Sequence, residues 1–175
     1  MRRWRTRALM CLFLVLLCGR AGAMSAQSAV VIDADTGEVR YEHNADAVLP
    51  MASTTKIMTA IVAIEQGDID RTYTVKPEYT QTSIRDTLYG LMLMSGNDAA
   101  LAIAGECGGQ EAFVQAMNDK AQSLGLTNTH FENPNGLDGD THHTTARELA
   151  ELTAYALQNP DFREIVSAKN ITCAG

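Results

Sequence analysis

Two short stretches of this sequence place nucleophilic and basic side chains where they could act together. Ser53-Thr-Thr-Lys56 sets a serine and a lysine three residues apart, and at that spacing on a helix the two lie one above the other on the same face. Burial lowers a lysine's pKa because the ammonium loses hydration, which makes a neutral amine available to take the serine's proton. A helix N-terminus also supplies backbone N–H groups, that of Ser53 among them, where an oxyanion would form. Ser95-Gly-Asn97 adds a hydroxyl and a carboxamide in a tight turn, suited to relaying a proton and orienting a peptide carbonyl. The bland alternatives are a serine N-cap followed by a solvated lysine, and an ordinary polar turn.

The elements that must hold these residues follow from the apolar pattern. Ser28 to Asp35 is a β-branched run ending in Thr36-Gly37, and Glu38 to His43 alternates polar with apolar, so a two-stranded antiparallel hairpin is expected. Ser53 to Gln66 is apolar on nearly every side (Ile57, Met58, Ile61, Val62, Ile64), the pattern of a buried helix, and Gly67 ends it. Val75 to Ser83 is polar and contains Pro77, a surface loop or short strand. Asp86 to Met94 and Asp98 to Glu106 have helical composition on either side of Ser95-Gly-Asn97, and Gln110 to Leu124 carries an amphipathic stripe through Phe113, Met117 and Ala121. Asn133-Pro-Asn-Gly136 and Asp138-Gly-Asp140 make Phe131 to Thr144 a loop fixed by its own hydrogen bonds. Thr145-Ala-Arg-Glu148 reads as a capping box opening a helix through Leu157, before Asn159-Pro160 breaks the pattern. The order is two strands followed only by helices, which leaves the hairpin little sheet to belong to.

At 175 residues and 46% apolar, the chain is long enough for one globular core. Arg2, Arg3, Arg5 and Arg7 precede an apolar run from Ala8 to Cys18, and Ala21-Gly-Ala23 follows. This is the order of a secretory signal peptide over residues 1–23, and the run is well short of the roughly 20 residues that span a bilayer. Cleavage there removes five arginines and no acidic residue, taking the formal charge from −7 to −12. So acidic a mature protein, spanning 24–175, is unsuited to nucleic acid and suits a soluble protein outside the cytoplasmic membrane. Cys11 and Cys18 leave with the signal; Cys107 and Cys173 remain, and the simpler reading is a small buried residue and a free thiol rather than a disulfide. His142 and His143 with Asp138 and Asp140 lack metal-ligand spacing, so no metal and no cofactor is expected. Met92, Met94 and Met117 read as core fillers.

Pro50-Met-Ala-Ser-Thr-Thr-Lys-Ile-Met-Thr-Ala60 and Leu93-Met-Ser-Gly-Asn-Asp-Ala-Ala100 resemble the first two active-site motifs of the D-alanyl-D-alanine carboxypeptidases, the low-molecular-mass penicillin-binding proteins. Phe131-Glu-Asn-Pro-Asn-Gly-Leu-Asp138 and His142-His-Thr-Thr-Ala-Arg-Glu-Leu149 are similar to the family's next segment, and the likeness runs in order from about Ala29 to Ser167. The resemblance implies an α+β, β-lactamase/transpeptidase-like fold: an N-terminal hairpin and a helical region packed on an antiparallel sheet whose remaining strands come late in the chain. It implies Ser53 as the nucleophile acylated by the penultimate D-alanine carbonyl, Lys56 as its general base, and Ser95 and Asn97 completing proton transfer and substrate positioning. The implied substrate is a peptidoglycan stem peptide ending in D-Ala-D-Ala, with β-lactams as inhibitors and no metal.

The family's third motif, a Lys-Thr-Gly on a later strand that binds the terminal carboxylate, is absent, since the chain reads Asn170-Ile-Thr-Cys-Ala-Gly175 at its end. The expectation is therefore an incomplete catalytic domain over 24–175, lacking later sheet strands and impaired or inactive in turnover. A serine β-lactamase shares Ser-x-x-Lys, but its second motif usually has Asp where Gly96 stands, and no deacylating Glu motif is visible. A non-catalytic relative that binds a wall peptide or a partner is the alternative from a different class.

Overall fold

The computed structural model describes residues 25–75 and 80–171. The expected signal segment over 1–23 and the Cys173 thiol lie outside them, and so does any pairing of Cys173 with Cys107, which is half-buried.

Strands β1 (Ala29–Ile32) and β2 (Val39–His43) form the expected antiparallel hairpin, with Ala29 opposite His43 and Val31 opposite Tyr41. Its turn is closed by Asp33, whose Oδ1 accepts from the N–H groups of Asp35 and Thr36, and by Gly37 at φ 73°. A second hairpin, β3 (Thr72–Val75) with β4 (Thr80–Ser83), corrects the expectation that only helices follow the first. Its strands are four residues each and mostly exposed, so threonine's β preference carries no apolar alternation to announce them. Tyr73 ties the hairpin to the next helix through Thr87, at 2.7 Å between hydroxyls.

Helix α1 (Lys56–Glu65) is the hub, and a 3₁₀ turn over Ala52–Thr55 precedes it. Ser53 therefore stands in the tighter turn and not in the first α-helical turn. Around α1 pack α2 (Ile84–Met94), α3 (Asn97–Glu106), α4 (Gln110–Ser123), α5 (Ala146–Ala156) and α6 (Pro160–Ser167). Every residue of α1 from Met58 to Ile64 is buried, against Leu88 and Leu91 of α2, Ile103 of α3, Phe113 and Met117 of α4, and Leu152 of α5. Each such apolar side chain contributes about 1.5–3 kcal/mol on burial. Met94, expected in this core, is instead 80% exposed at the end of α2.

One helix boundary and one half of a capping box differ from the sequence reading. Asn159-Pro160 ends α5 and also opens α6: the Asn159 side chain accepts from the N–H groups of Asp161 and Phe162, and proline sits in the first turn, where its missing N–H costs nothing. At α5, Thr145 caps the Glu148 N–H as expected. The Glu148 carboxylate does not return to the cap; it is buried and accepts from the Asn128 backbone and side chain at 2.9 Å and from the Thr129 hydroxyl at 2.5 Å. The reciprocal half of the capping box is thus spent on fastening the 127–129 turn to α5.

Candidate active site

Lys56 begins α1 with its side chain 2% exposed. Its Nζ lies 3.3 Å from Ser53 Oγ, 2.8 Å from Asn97 Oδ1 and 2.6 Å from the Asn135 carbonyl oxygen. The first contact comes from the 3₁₀ turn, the second from the start of α3 and the third from the loop before α5. Among the described residues no carboxylate stands within 4.0 Å of this ammonium. Burial pushes the Lys56 pKa below the ordinary lysine value.

The geometry accommodates both protonation states. As an ammonium, Lys56 has three donors for three acceptors. As a neutral amine it keeps two N–H groups, which the Asn97 and Asn135 oxygens hold, and the lone pair is then directed at the exposed Ser53 hydroxyl.

Backbone strain is concentrated here. Ala52 (φ 46°) and Ser95 (φ 55°) are two of the three non-glycine residues with positive φ among the described residues, a conformation that costs on the order of 1–3 kcal/mol and persists where surroundings enforce it. At Ser95 the left-handed residue ends α2 and lets the chain reverse through Gly96 into α3. At Ala52 the enforcement comes from Gly136: a Cβ built there would stand 2.0 Å from the Ala52 oxygen and 3.0 Å from the Ser53 nitrogen. Loop and turn are in backbone contact that only glycine allows.

The structure brings Ser53, Lys56 and Asn97 together. Ser95 lies in the adjoining turn with its side chain exposed, and its hydroxyl makes no hydrogen bond to the other three among the described residues. Sequence reasoning missed the Asn135 carbonyl, Gly136 and the buried polar rungs that hold the loop to α1. Thr59 donates to the Pro134 carbonyl at 2.6 Å, and Thr55 meets His142 Nε2 at 2.7 Å. The signal for them is a pair of threonines four residues apart, Thr55 in the 3₁₀ turn and Thr59 within the buried apolar stretch of α1. His142 Nδ1 accepts from the Glu132 N–H at 3.0 Å, so Nε2 carries the proton donated to Thr55. Among the described residues no group of three or more His, Cys, Asp or Glu side chains is arranged to hold a metal.

The family model for D-alanyl-D-alanine carboxypeptidase, Peptidase S11, matches residues 18–78 and 72–174. D-alanyl-D-alanine carboxypeptidase DacB2 of Mycobacterium tuberculosis is 37% identical over 158 residues, covering 81% of this chain and 54% of that protein. The D-alanyl-D-alanine endopeptidase of Escherichia coli is 35% identical over 154 residues, covering 78% of this chain and 49% of its own. The crystal structure of the Streptomyces K15 DD-transpeptidase superposes with a TM-score of 0.79 at 32% identity, covering 84% of this chain and 66% of that one. The chain thus spans about half the length of the curated relatives it matches. With the family model matched along nearly all of the sequence, and the α+β fold shared with the solved relatives, the chain belongs to the Peptidase S11 family of D-alanyl-D-alanine carboxypeptidases.

Proposed function

We propose that this chain carries the acyl-transfer centre of a serine-type D-Ala-D-Ala carboxypeptidase acting on peptidoglycan stem peptides. The observation that carries this reading is the buried Lys56 amine 3.3 Å from Ser53 Oγ, with no carboxylate of the described residues within 4.0 Å to hold it charged. Ser53 Oγ attacks the carbonyl of the penultimate D-alanine while Lys56 Nζ takes the hydroxyl proton. Collapse of the tetrahedral intermediate breaks the peptide bond, and the proton passes to the leaving D-alanine amine, with the Ser95 hydroxyl as relay. Water then hydrolyses the ester on Ser53. Because Asn97 turns its Oδ1 to Lys56, its Nδ2 is the free end of the carboxamide, a donor for a substrate carbonyl.

A β-lactam presents its strained amide to the same nucleophile and acylates it. The arginine-rich start, apolar run and Ala21-Gly-Ala23 support export and a place of action outside the cytoplasmic membrane, at the cell wall. The test is labelling with a fluorescent penicillin, applied to this chain and to a chimera carrying the C-terminal part of a relative. Peptide mapping is expected to find the adduct on Ser53, and Ser53→Ala to abolish it. Labelling that survives the substitution refutes the assignment.

A further inference from the structure

The Asn135 carbonyl is the shortest of the three contacts to Lys56 Nζ, at 2.6 Å, and the only one that comes from a loop backbone. A backbone oxygen is aimed by the peptide planes around it, so what sets those planes also sets the lysine. Asn133 is placed to do so, beside a Leu137 N–H bond to the Asn135 side chain at 3.0 Å. The Asn133 Oδ1 accepts from the Gly136 N–H at 2.7 Å and from the Asn135 N–H at 3.3 Å, and its Nδ2 donates to the Leu137 carbonyl at 2.8 Å. One carboxamide therefore ties three consecutive residues, with the Asn135 carbonyl lying between the two N–H groups it holds. The turn is anchored at either side by Thr59 on the Pro134 carbonyl and by Gly136 against Ala52. Those anchors fix where the loop sits but leave the Asn135–Gly136 peptide plane to be set from within the turn.

We propose that Asn133 is a positioning residue for the reaction. By fixing the Asn135 carbonyl it holds one N–H of the Lys56 amine and so turns the lone pair toward Ser53. Asn133 touches neither Ser53 nor Lys56 by hydrogen bond, and acts through the peptide it orients. The idea rests on the Ser–Lys reading above, and its test is built to fail separately.

The chain has four lysines, Lys56, Lys76, Lys120 and Lys169, and Lys56 is buried and hydrogen-bonded at every N–H, so its ammonium protons should exchange slowly with water. In a proton–nitrogen correlation spectrum of lysine Nζ groups at mildly acid pH, the full chain is expected to show a persistent cross-peak that Lys56→Arg removes. Asn133→Ala should lose it to exchange with the fold retained by circular dichroism. Asn133→Asp, which keeps an oxygen for both N–H groups, should retain it. In parallel, the penicillin acylation rate constant should fall about 10- to 100-fold in Asn133→Ala, with initial binding changed less than twofold, and recover most of its value in Asn133→Asp. A persistent Lys56 signal in Asn133→Ala, or its loss from a folded Asn133→Asp, overturns the proposal. So does an unchanged acylation rate in Asn133→Ala when the parent chain is labelled. If penicillin labels neither the parent chain nor the chimera, the function assignment falls while the spectra still decide the role of Asn133.

Discussion

Replacing Gly136 with alanine should damage this site through a single methyl group. The added Cβ would stand 2.0 Å from the Ala52 oxygen and 2.5 Å from its carbonyl carbon, where ordinary contact begins near 3.4 Å. Loop and turn must separate by about 1.4 Å to relieve the clash. The Asn135 carbonyl, 2.6 Å from Lys56 Nζ and adjacent in sequence, would be carried to about 4 Å, beyond hydrogen-bonding range. Alanine at φ 88° adds about 1–2 kcal/mol of backbone strain to about 1–3 kcal/mol for overpacking, so a loss of about 2–5 kcal/mol in unfolding free energy is expected. Urea denaturation followed by circular dichroism measures that loss. Labelling with a fluorescent penicillin measures the second effect, a fall of about 100-fold for a misplacement near 1 Å. A Gly136→Ala chain as stable as its parent and labelled as fast would refute the view that this backbone contact fixes the turn that carries Ser53.

Further outcomes follow from the buried polar groups. Burial holds the His142 pKa below its ordinary value, so below about pH 6.5 the unfolded chain binds a proton that the folded chain resists. Stability should therefore fall as pH drops through that region and not change above it on account of this group; a denaturant midpoint measured against pH should show the slope, and His142→Gln should remove it. Thr59→Val keeps the volume but leaves the Pro134 carbonyl unpaired, at an expected cost of about 1–3 kcal/mol in urea unfolding. Glu148→Gln turns an amide N–H₂ toward donors from Asn128 and Thr129, and should cost about 1.5–3 kcal/mol by the same measurement.

The hub helix, the helices on either side of Ser95-Gly-Asn97 and the amphipathic α4 are legible because burial marks the sequence: Ile57 to Ile64 is apolar on nearly every side, and Phe113, Met117 and Ala121 recur at helical spacing. The β3–β4 hairpin is not, because Thr72–Val75 and Thr80–Ser83 bury little and so show no alternation. In sequence, Asn159-Pro160 reads as a stop because proline interrupts a helix from within; only the three-dimensional path shows that the same dipeptide begins another. The spacing of Ser53 and Lys56 foretold their contact. What it could not foretell is a main-chain oxygen, since the Asn135 contact to Lys56 uses no feature of the asparagine side chain. Met94 was misplaced because a methionine at a helix end satisfies the apolar pattern whether it faces the core or the solvent.

The ladder between α1 and the 131–144 loop joins residues far apart in the chain: Thr59 to Pro134 spans 75 positions, Lys56 to Asn135 spans 79, and Thr55 to His142 spans 87. Such contacts form only after long loops have closed, so they arrive late in folding. While the chain is being made, α1 can coil as soon as its ten residues are free, yet its lysine stays hydrated and charged beside an ordinary serine until the loop docks. The buried, more readily deprotonated amine that would activate Ser53 is thus a property of the assembled fold and not of a chain in which the loop has yet to dock. On the acyl-transfer reading proposed above, a partly folded chain would hold a lysine too well hydrated to activate Ser53, and docking of the 131–144 loop would supply what is missing.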